Sequence, residues 1–346
     1  MERLQAYARF EAGHRKLPAA ASALGVIVLC LCLSPADAAD TDSLESLEDA
    51  WWTGPILASS AASAPQGHFM IEPYFYDNIV SGQFDANGAH HSTSRTHSMR
   101  AGSFVLYGLS ERLSVGLIPS FGLNRAGDGA RSSLGLGDLS LQAQYCLTEF
   151  ESDRPFPATS ILLSATVPTG RYDRLGSHPE DGLGSGVYTE AVSVYSQYYF
   201  WLPIGRVLRT RFDVTFSTSD RVGIRDASVY GTPSNFRGRA APGDSFVAFL
   251  SGEYSVTRNW VAVLEAAFQH SDTTLITGDT FTTPGHAIEA REYAVSSGSS
   301  RSSALAAEIE YNWNERIGVV AGAIFTVSGR NVAATMTPAV AININL

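Results

Sequence analysis

The triplet His270-Ser271-Asp272 contains the three residue types of a nucleophilic triad. In such a triad, histidine takes the serine proton and a carboxylate orients the histidine. These three residues are adjacent in a segment that alternates like a β-strand, and neighbouring side chains on a strand diverge. They therefore cannot form a triad with one another, and the sequence does not predict an enzyme.

Two further groups have residue types that bind ions or phosphates. His90, His91 and His97 lie in a Ser- and Gly-rich segment, with no carboxylate or thiol at the spacing of a zinc site. Glycines near 127, 135 and 182 stand beside no strand-to-helix turn, which a phosphate-binding loop requires. We therefore expect no metal and no cofactor.

The N-terminus has the three parts of a signal peptide. Basic residues precede the apolar run 19–33, and small residues at 36–38 predict cleavage near Ala38. An uncleaved N-terminal membrane anchor is the alternative interpretation. Cleavage would leave Cys146 as the single cysteine, so no internal disulfide is expected. The chain has 34 acidic and 24 basic residues, which argues against nucleic acid as a partner.

Alternation of apolar and polar residues runs through most of the chain after residue 67, and no later apolar run reaches the length of a transmembrane helix. In the segment 208–216, for example, Leu208, Phe212 and Val214 alternate with Arg209, Arg211 and Asp213. Side chains on a strand alternate between its two faces. One face is thus apolar and the other polar, as in a transmembrane barrel or in a soluble sandwich or barrel.

A repeat at the hairpins favours the membrane. Tyr107, Tyr254 and Tyr311 each end a strand before a short polar turn, and a phenylalanine follows 14 positions later in every case. Aromatic residues at both ends of an apolar band form the girdles of outer-membrane barrels. The predicted girdle comprises Tyr107, Tyr145, Tyr199, Tyr254, Tyr311, Phe121, Phe268, Phe325, Trp201, Trp260 and Trp313.

The alternation and the aromatic repeat together predict an all-β, transmembrane, antiparallel up-and-down barrel. The count is about 12 strands, with 10 to 14 open because the strand near 187–200 alternates poorly. The barrel occupies 68–346, and long loops are expected near 79–95, 125–135, 169–186, 218–243 and 271–300. Residues 39–67, where Asp42 and Glu45 could cap a short helix, form either a periplasmic extension or a plug inside the barrel.

The polar face would line the lumen and carry eight acids and three arginines. These candidates are Glu72, Arg100, Asp138, Glu190, Arg209, Arg211, Asp213, Glu253, Glu265, Glu308 and Glu310. An acidic lumen favours neutral or cationic solutes over anions. Alternatively, many of these charges pair across strands and brace the wall.

Several segments resemble a family of outer-membrane barrels grouped under the meta-pathway of phenol degradation. They are the stretches 52–62 and 67–76, Gly135 to Tyr145, Val167 to Arg174, and Gly184 to Glu190. The resemblance implies a transporter-like barrel, in some members linked to uptake of aromatic or other hydrophobic compounds. It supplies no catalytic residues.

The sequence thus predicts an outer-membrane channel for passive uptake of small neutral or hydrophobic compounds, aromatic ones included. Its partners would be outer-membrane lipid and a small solute. The alternative is a structural or surface-interaction barrel with a plugged lumen and binding loops. The oligomeric state is not predicted.

Overall fold

The computed structural model describes Leu47, residues 50–282 and residues 289–346. The predicted signal peptide and the capping residues Asp42 and Glu45 lie outside these residues. Within them the regular structure is β-strand, apart from 3-10 residues at Leu47 and Pro179–Asp181. None of the helices in these ranges is long and apolar enough to cross a membrane.

The described residues form eighteen strands in chain order. They are β1 (Phe69–Phe84), β2 (His90–Ser110), β3 (Leu113–Ile118), β4 (Ser120–Arg125), β5 (Gly135–Leu136), β6 (Leu139–Thr148), β7 (Ala158–Val167), β8 (Thr189–Trp201), β9 (Val207–Ser219), β10 (Val222–Arg225), β11 (Phe236–Ala241), β12 (Ser245–Ser255), β13 (Trp260–Ser271), β14 (Leu275–Thr282), β15 (Glu289–Ser296), β16 (Ser300–Asn312), β17 (Ile317–Arg330) and β18 (Val332–Asn345).

Fourteen of these strands close into one antiparallel barrel, because β1 pairs with both β18 and β2. β3 and β4 are two halves of one wall strand that breaks at Pro119, which has no N–H to donate to the ladder. β5 and β6 likewise form one wall strand. The wall therefore has twelve strands, and the predicted architecture and count are confirmed.

The outer face of the wall is apolar, as a membrane-spanning barrel requires. Exposed side chains on β13 include Trp260 at one end and Phe268 near the other, with Leu264 between them at 66% exposure. Eight residues separate the two aromatics, or about 27 Å along a strand. Tilt shortens this to an apolar band on the order of the ~25 Å typical of outer-membrane barrels.

Most of the predicted girdle lies on this outer face. At the end of the barrel with short turns, Trp260 packs against Tyr311 with ring centroids 4.6 Å apart, and Tyr311 contacts Trp313 at 5.3 Å. Exposed phenylalanines stand toward the end with long connections, hereafter the long-loop end. These outward residues are Tyr107, Tyr145, Tyr254, Tyr311, Trp260, Trp313, Phe121, Phe268 and Phe325.

The girdle prediction was wrong for Tyr199 and Trp201. Tyr199 pairs with Arg209 across β8 and β9, and it shares its face with the buried Gln197, which donates to the Tyr199 hydroxyl at 2.8 Å. This is the inner face of the wall. Trp201 has the same parity and pairs with the fully buried Val207. Four consecutive aromatics at the end of β8 hide which of them point outward.

Two of the predicted long loops contain strands. β10 and β11 arise from 218–243, β14 and β15 arise from 271–300, and together they form a separate four-stranded sheet. We call it the loop-end sheet. The predicted loop 79–95 was also wrong, because β1 and β2 remain paired as far as Phe84 and His90.

Candidate functional site: the barrel lumen

The inner wall carries one buried ion-pair group on β9 and β12. Arg209 and Glu253 are directly opposed in the register, and Arg209 Nε donates to Glu253 Oε1 at 2.9 Å, with a second bond between Nη2 and the other carboxylate oxygen. Arg211 Nε lies 3.0 Å from the same Oε1. Glu253 is fully buried, so this group connects β9 and β12. It corresponds to the interpretation in which lumen charges pair across strands.

Other carboxylates of the wall bind backbone N–H groups of residues 50–67, which we call the inner segment. This segment contains no regular strand and runs along the inner face. The bonds are Thr53 N to Glu310 (2.8 Å), Ile56 N to Glu308 (2.9 Å), Leu57 N and Ala58 N to Glu265 (2.8 Å each), and Ser59 N to Asp213 (2.6 Å).

Carbonyl groups of the inner segment accept hydrogen bonds from side chains of the barrel wall. Arg211 Nη1 donates to Ala58 O at 3.0 Å, Gln144 Nε2 donates to Ser60 O at 3.0 Å, and Ser160 Oγ donates to Ala61 O at 2.5 Å. Buried backbone groups need such partners. Ala58 and Ala61 are buried, and their small side chains let the backbone approach the wall.

Two tryptophans hold the start of the inner segment. The ring of Trp51 lies 4.4 Å from the guanidinium carbon of Arg258, and that of Trp52 lies 4.5 Å from the guanidinium carbon of Arg209. Trp52 also meets Tyr199 edge-on at 6.3 Å. Arginine over an aromatic face is a favourable contact, stronger when water is excluded. Both tryptophans are thus anchored to arginines of the barrel.

The remaining inward charges have separate roles. Asp138 accepts bonds from Gly170 N at 3.0 Å and from Ser185 N and Oγ at 2.7 Å, which fastens the loop 169–186 to the wall. Arg100 donates to Asn124 Oδ1 at 2.9 Å near the long-loop end. Glu72 is buried and lies 3.4 Å from Asn343 Nδ2.

Glu190 does not line the lumen, contrary to the sequence prediction. It pairs with Thr218 and shares its face with Val192 and Val194, which are 43% and 40% exposed on the outside of the wall. Ser193 and Gln197, of the opposite parity, are buried inside. The physical reason is the aromatic run at the end of β8, which puts tyrosines on both faces. A register counted back from Tyr199 as an outward residue placed Glu190 on the inner face.

A cavity of about 520 Å³ lies between the inner segment and the wall. Its wall side is lined by apolar and aromatic side chains from β1, β2, β7 and β8. Glu72, Gln142, Gln144 and Asn343 add polar groups. Arg209, Arg211 and Arg316 also line it, so apolar and polar side chains bound the cavity together. A volume of this size is within the range of small-molecule sites.

The residues with catalytic or metal-binding types do not assemble. His270 Nε2 lies 3.3 Å from Asp272 Oδ1, and both side chains are exposed at the end of β13. His97 contacts Asp77 at 2.7 Å and His91 contacts Asp85 at 3.1 Å. Within 50–282 and 289–346 no three His, Cys, Asp or Glu side chains are grouped to hold a metal.

The loop-end sheet has an apolar core of its own, in which Ile224 and Phe236 are almost completely buried. Tyr230 donates its hydroxyl to Ser185 O at 2.7 Å and packs against this core. Burial, aided by the negative charge of Asp138, raises the pKa of Tyr230 to about 12. This sheet therefore connects three long loops into one folded unit.

Nearly the whole barrel matches the model of one protein family. The model described as "Putative MetA-pathway of phenol degradation" matches residues 66–339, which is most of the chain and nearly all of the barrel. The chain belongs to this family. No curated protein matches it.

One solved structure supports the same fold for this family member. An outer membrane channel from Pseudomonas putida F1 matches with a TM-score of 0.63 and 13% identity, over 84% of this chain and 100% of that one. The Pseudomonas putida toluene transporter TodX aligns with a TM-score of 0.33 and 10% identity, over 86% and 95% of the two chains. The first likeness, with the apolar outer face, places the family member among outer-membrane barrels.

Sequence reasoning identified most of the acids that bind the inner segment, but it missed their neutral partners. Gln144, Ser160 and Asn312 are buried, and Asn312 Oδ1 accepts from Thr53 Oγ1 at 2.9 Å. The available signal was the recurrence of polar residues on the inward faces of these strands. That signal shows a polar face, without showing what the face binds.

Proposed function

We propose that this barrel is a passive outer-membrane channel for small neutral or hydrophobic compounds, aromatic ones included, and that it performs transport rather than catalysis. The observation that carries the proposal is the lumen cavity of about 520 Å³, whose wall side includes apolar and aromatic side chains of β1, β2, β7 and β8. The family description, which names a pathway of phenol degradation, agrees with this solute class, and the Pseudomonas putida F1 protein of the same fold is a channel.

We further propose that the inner segment is a plug that entered the lumen from the periplasmic side. Of the two interpretations of residues 39–67, the plug is supported by the five N–H bonds from 53–59 to wall carboxylates. Short turns and both ends of the barrel chain share one side, which in outer-membrane barrels faces the periplasm. Passage of solute then requires partial displacement of this segment or a path beside it.

The test is flux through purified protein in liposomes. We expect entry of a neutral aromatic solute to exceed that into empty liposomes, and deletion of 53–64 to increase it further. Heat-unfolded protein in the same liposomes is the control for leakage. If neither the full protein nor the deletion variant raises solute entry or conductance, the channel proposal is wrong.

Residues 1–38 are proposed to be a signal peptide removed near Ala38 during export. The support is the order of basic, apolar and small residues. Mass spectrometry of the protein purified from outer membranes should give the mass of a chain that begins near residue 39. An intact N-terminus would instead indicate an anchor.

A second candidate function is a surface-interaction barrel, favoured by the loop-end sheet with its own core. Deleting 271–298 removes half of that sheet and separates the two candidates. A channel should keep its cellular function together with its conductance after this deletion. An interaction barrel should lose its cellular function although its conductance is unchanged or raised.

A further inference from the structure

We infer that the lumen cavity is a binding site for a small, largely apolar molecule that carries one hydroxyl or amino donor, and that Glu72 accepts the hydrogen bond from this donor. The inference rests on the proposed function in one respect, since it names the solute class that such a channel would recognise. It concerns binding in the lumen and needs no measurement of transport.

The apolar part of the site is formed by aromatic and branched side chains on the inner wall. Tyr74 and Phe104 are neighbours across β1 and β2 and meet edge-on, with ring centroids 5.5 Å apart. Leu106 and Leu162 are buried and line the same cavity, together with Tyr195. Such walls bind a planar or aliphatic body by contact alone, so polar groups must provide the selectivity.

Glu72 lines the cavity, and it differs from Glu253 and Glu265 in how its carboxylate is occupied. Glu253 is held by two arginines, and Glu265 by two N–H groups of the inner segment. Glu72 has Asn343 Nδ2 at 3.4 Å, near the outer limit for a hydrogen bond, and the Tyr74 side chain as a second hydrogen-bonding neighbour. An ionised carboxylate offers about four acceptor positions, so capacity remains on the cavity side.

The unfilled acceptor positions of Glu72 matter because this carboxylate is buried. Glu72 is 9% exposed, and a carboxylate removed from water is unfavourable unless donors replace the lost hydration. A ligand hydroxyl or ammonium group in the cavity would supply such a donor. A ligand of the same shape without a donor would leave the carboxylate as it is and would bind less tightly.

The buried cations that line the cavity are already engaged, which argues against anionic ligands deep in it. Arg209 and Arg211 line the cavity, but Arg209 binds Glu253 and stacks on Trp52. Arg211 also binds Glu253 and donates to Ala58 O. Arg316 also lines the cavity, but its side chain is 74% exposed and lies 4.0 Å from Glu315. An anion beside Glu72 would therefore meet no buried positive partner that is not already engaged.

The test is calorimetric binding to the full protein in detergent, with 4-methylphenol, 4-methylbenzylamine, the donor-free 4-methylanisole and the anion 4-methylbenzoate as probes. A hydrogen bond to a charged acceptor should favour the two donors over 4-methylanisole by about tenfold or more. The benzoate should bind weakest. Glu72→Leu should reduce the preference to about twofold or less, and Glu72→Gln, which keeps an acceptor oxygen, should retain part of it.

Glu111→Gln, at an exposed turn between β2 and β3, is the matched control and should keep the full preference. Each variant is first checked for the heat-dependent gel shift of a folded barrel. Equal affinity for 4-methylphenol and 4-methylanisole in the unaltered protein, or an unchanged preference in folded Glu72→Leu and Glu72→Gln, would overturn the inference. Donor-selective binding without flux in liposomes would contradict only the channel proposal, and flux without donor selectivity would contradict only this one.

Discussion

Trp52 lies over the guanidinium group of Arg209, 4.5 Å from its carbon to the ring centroid, and so connects the inner segment to the barrel wall. Since Arg209 also binds Glu253, the tryptophan rests on a side chain that is itself held in place. The contact joins two parts of the chain that are more than 150 residues apart in sequence. Its loss should loosen the segment while leaving the wall paired.

Trp52→Ala should therefore increase the open population of the channel. A buried cation–π contact contributes on the order of 1 to 2 kcal/mol, which corresponds to a roughly 5- to 30-fold change in an equilibrium. Single-channel recording in planar bilayers measures the open fraction directly. Trp313→Ala, which removes an exposed girdle tryptophan on the outer face, is the control and should leave the open fraction unchanged.

Glu253→Gln should destabilise the barrel itself. This change leaves two buried arginines without their shared carboxylate, and breaking a buried ion pair on one side typically costs about 3–5 kcal/mol. Urea unfolding followed by tryptophan fluorescence gives the free energy of unfolding. Glu315→Gln, whose side chain is 74% exposed at a turn, should change that free energy by less than about 0.5 kcal/mol. Equal effects of the two substitutions would contradict the bracing role.

Removal of residues 53–64 should expose the carboxylates that now bind the inner segment. A lumen lined by acids prefers cations, so this deletion variant should have a cation-selective reversal potential in a salt gradient. Adding Glu308→Gln or Glu310→Gln to the deletion should reduce the selectivity, whereas adding Glu111→Gln should not. An anion-selective pore would show that these carboxylates do not face the open lumen.

The loop-end sheet should weaken at alkaline pH. A tyrosine in the unfolded chain has a pKa near 10, and that of Tyr230 is raised to about 12 in the folded sheet. The folded state thus favours the neutral hydroxyl, and the resulting stability is complete below about pH 10 and is lost as the pH rises toward 12. The phenolate absorbance lost in Tyr230→Phe should titrate near pH 12, as measured by the difference between the absorbance titrations of the unaltered protein and the variant.

Sequence alone was sufficient where one face of a strand is clearly apolar. On β9, arginine and aspartate alternate with leucine, phenylalanine and valine, so the inner face could be assigned, and Arg209, Arg211 and Asp213 lie buried on it. On β8 the aromatics fall on both faces, and Glu190 and Tyr199 were therefore assigned to the wrong sides. A period-2 pattern carries information only when the two faces differ in polarity.

The loop-end sheet and the path of the inner segment could not be derived in this way. Ile224, Phe236 and Ile276 belong to one apolar core, yet they come from short segments in two different connections, so no local pattern joins them. The inner segment is rich in Ala and Ser, is interrupted by proline and glycine, and lacks the apolar alternation of the wall strands. Its position depends on bonds to a wall that exists only after the barrel closes.

The wall binds the inner segment through main-chain N–H and C=O groups. These hydrogen bonds are therefore largely independent of which side chains the segment carries. Every residue except proline offers the same N–H group, so replacing residues 56–59 by other small residues should keep these bonds. Leu57→Pro or Ala58→Pro would instead remove a donor to Glu265. The segment should thus tolerate substitution, or replacement by another short peptide of small residues, whereas substitution of the wall carboxylates removes the acceptors.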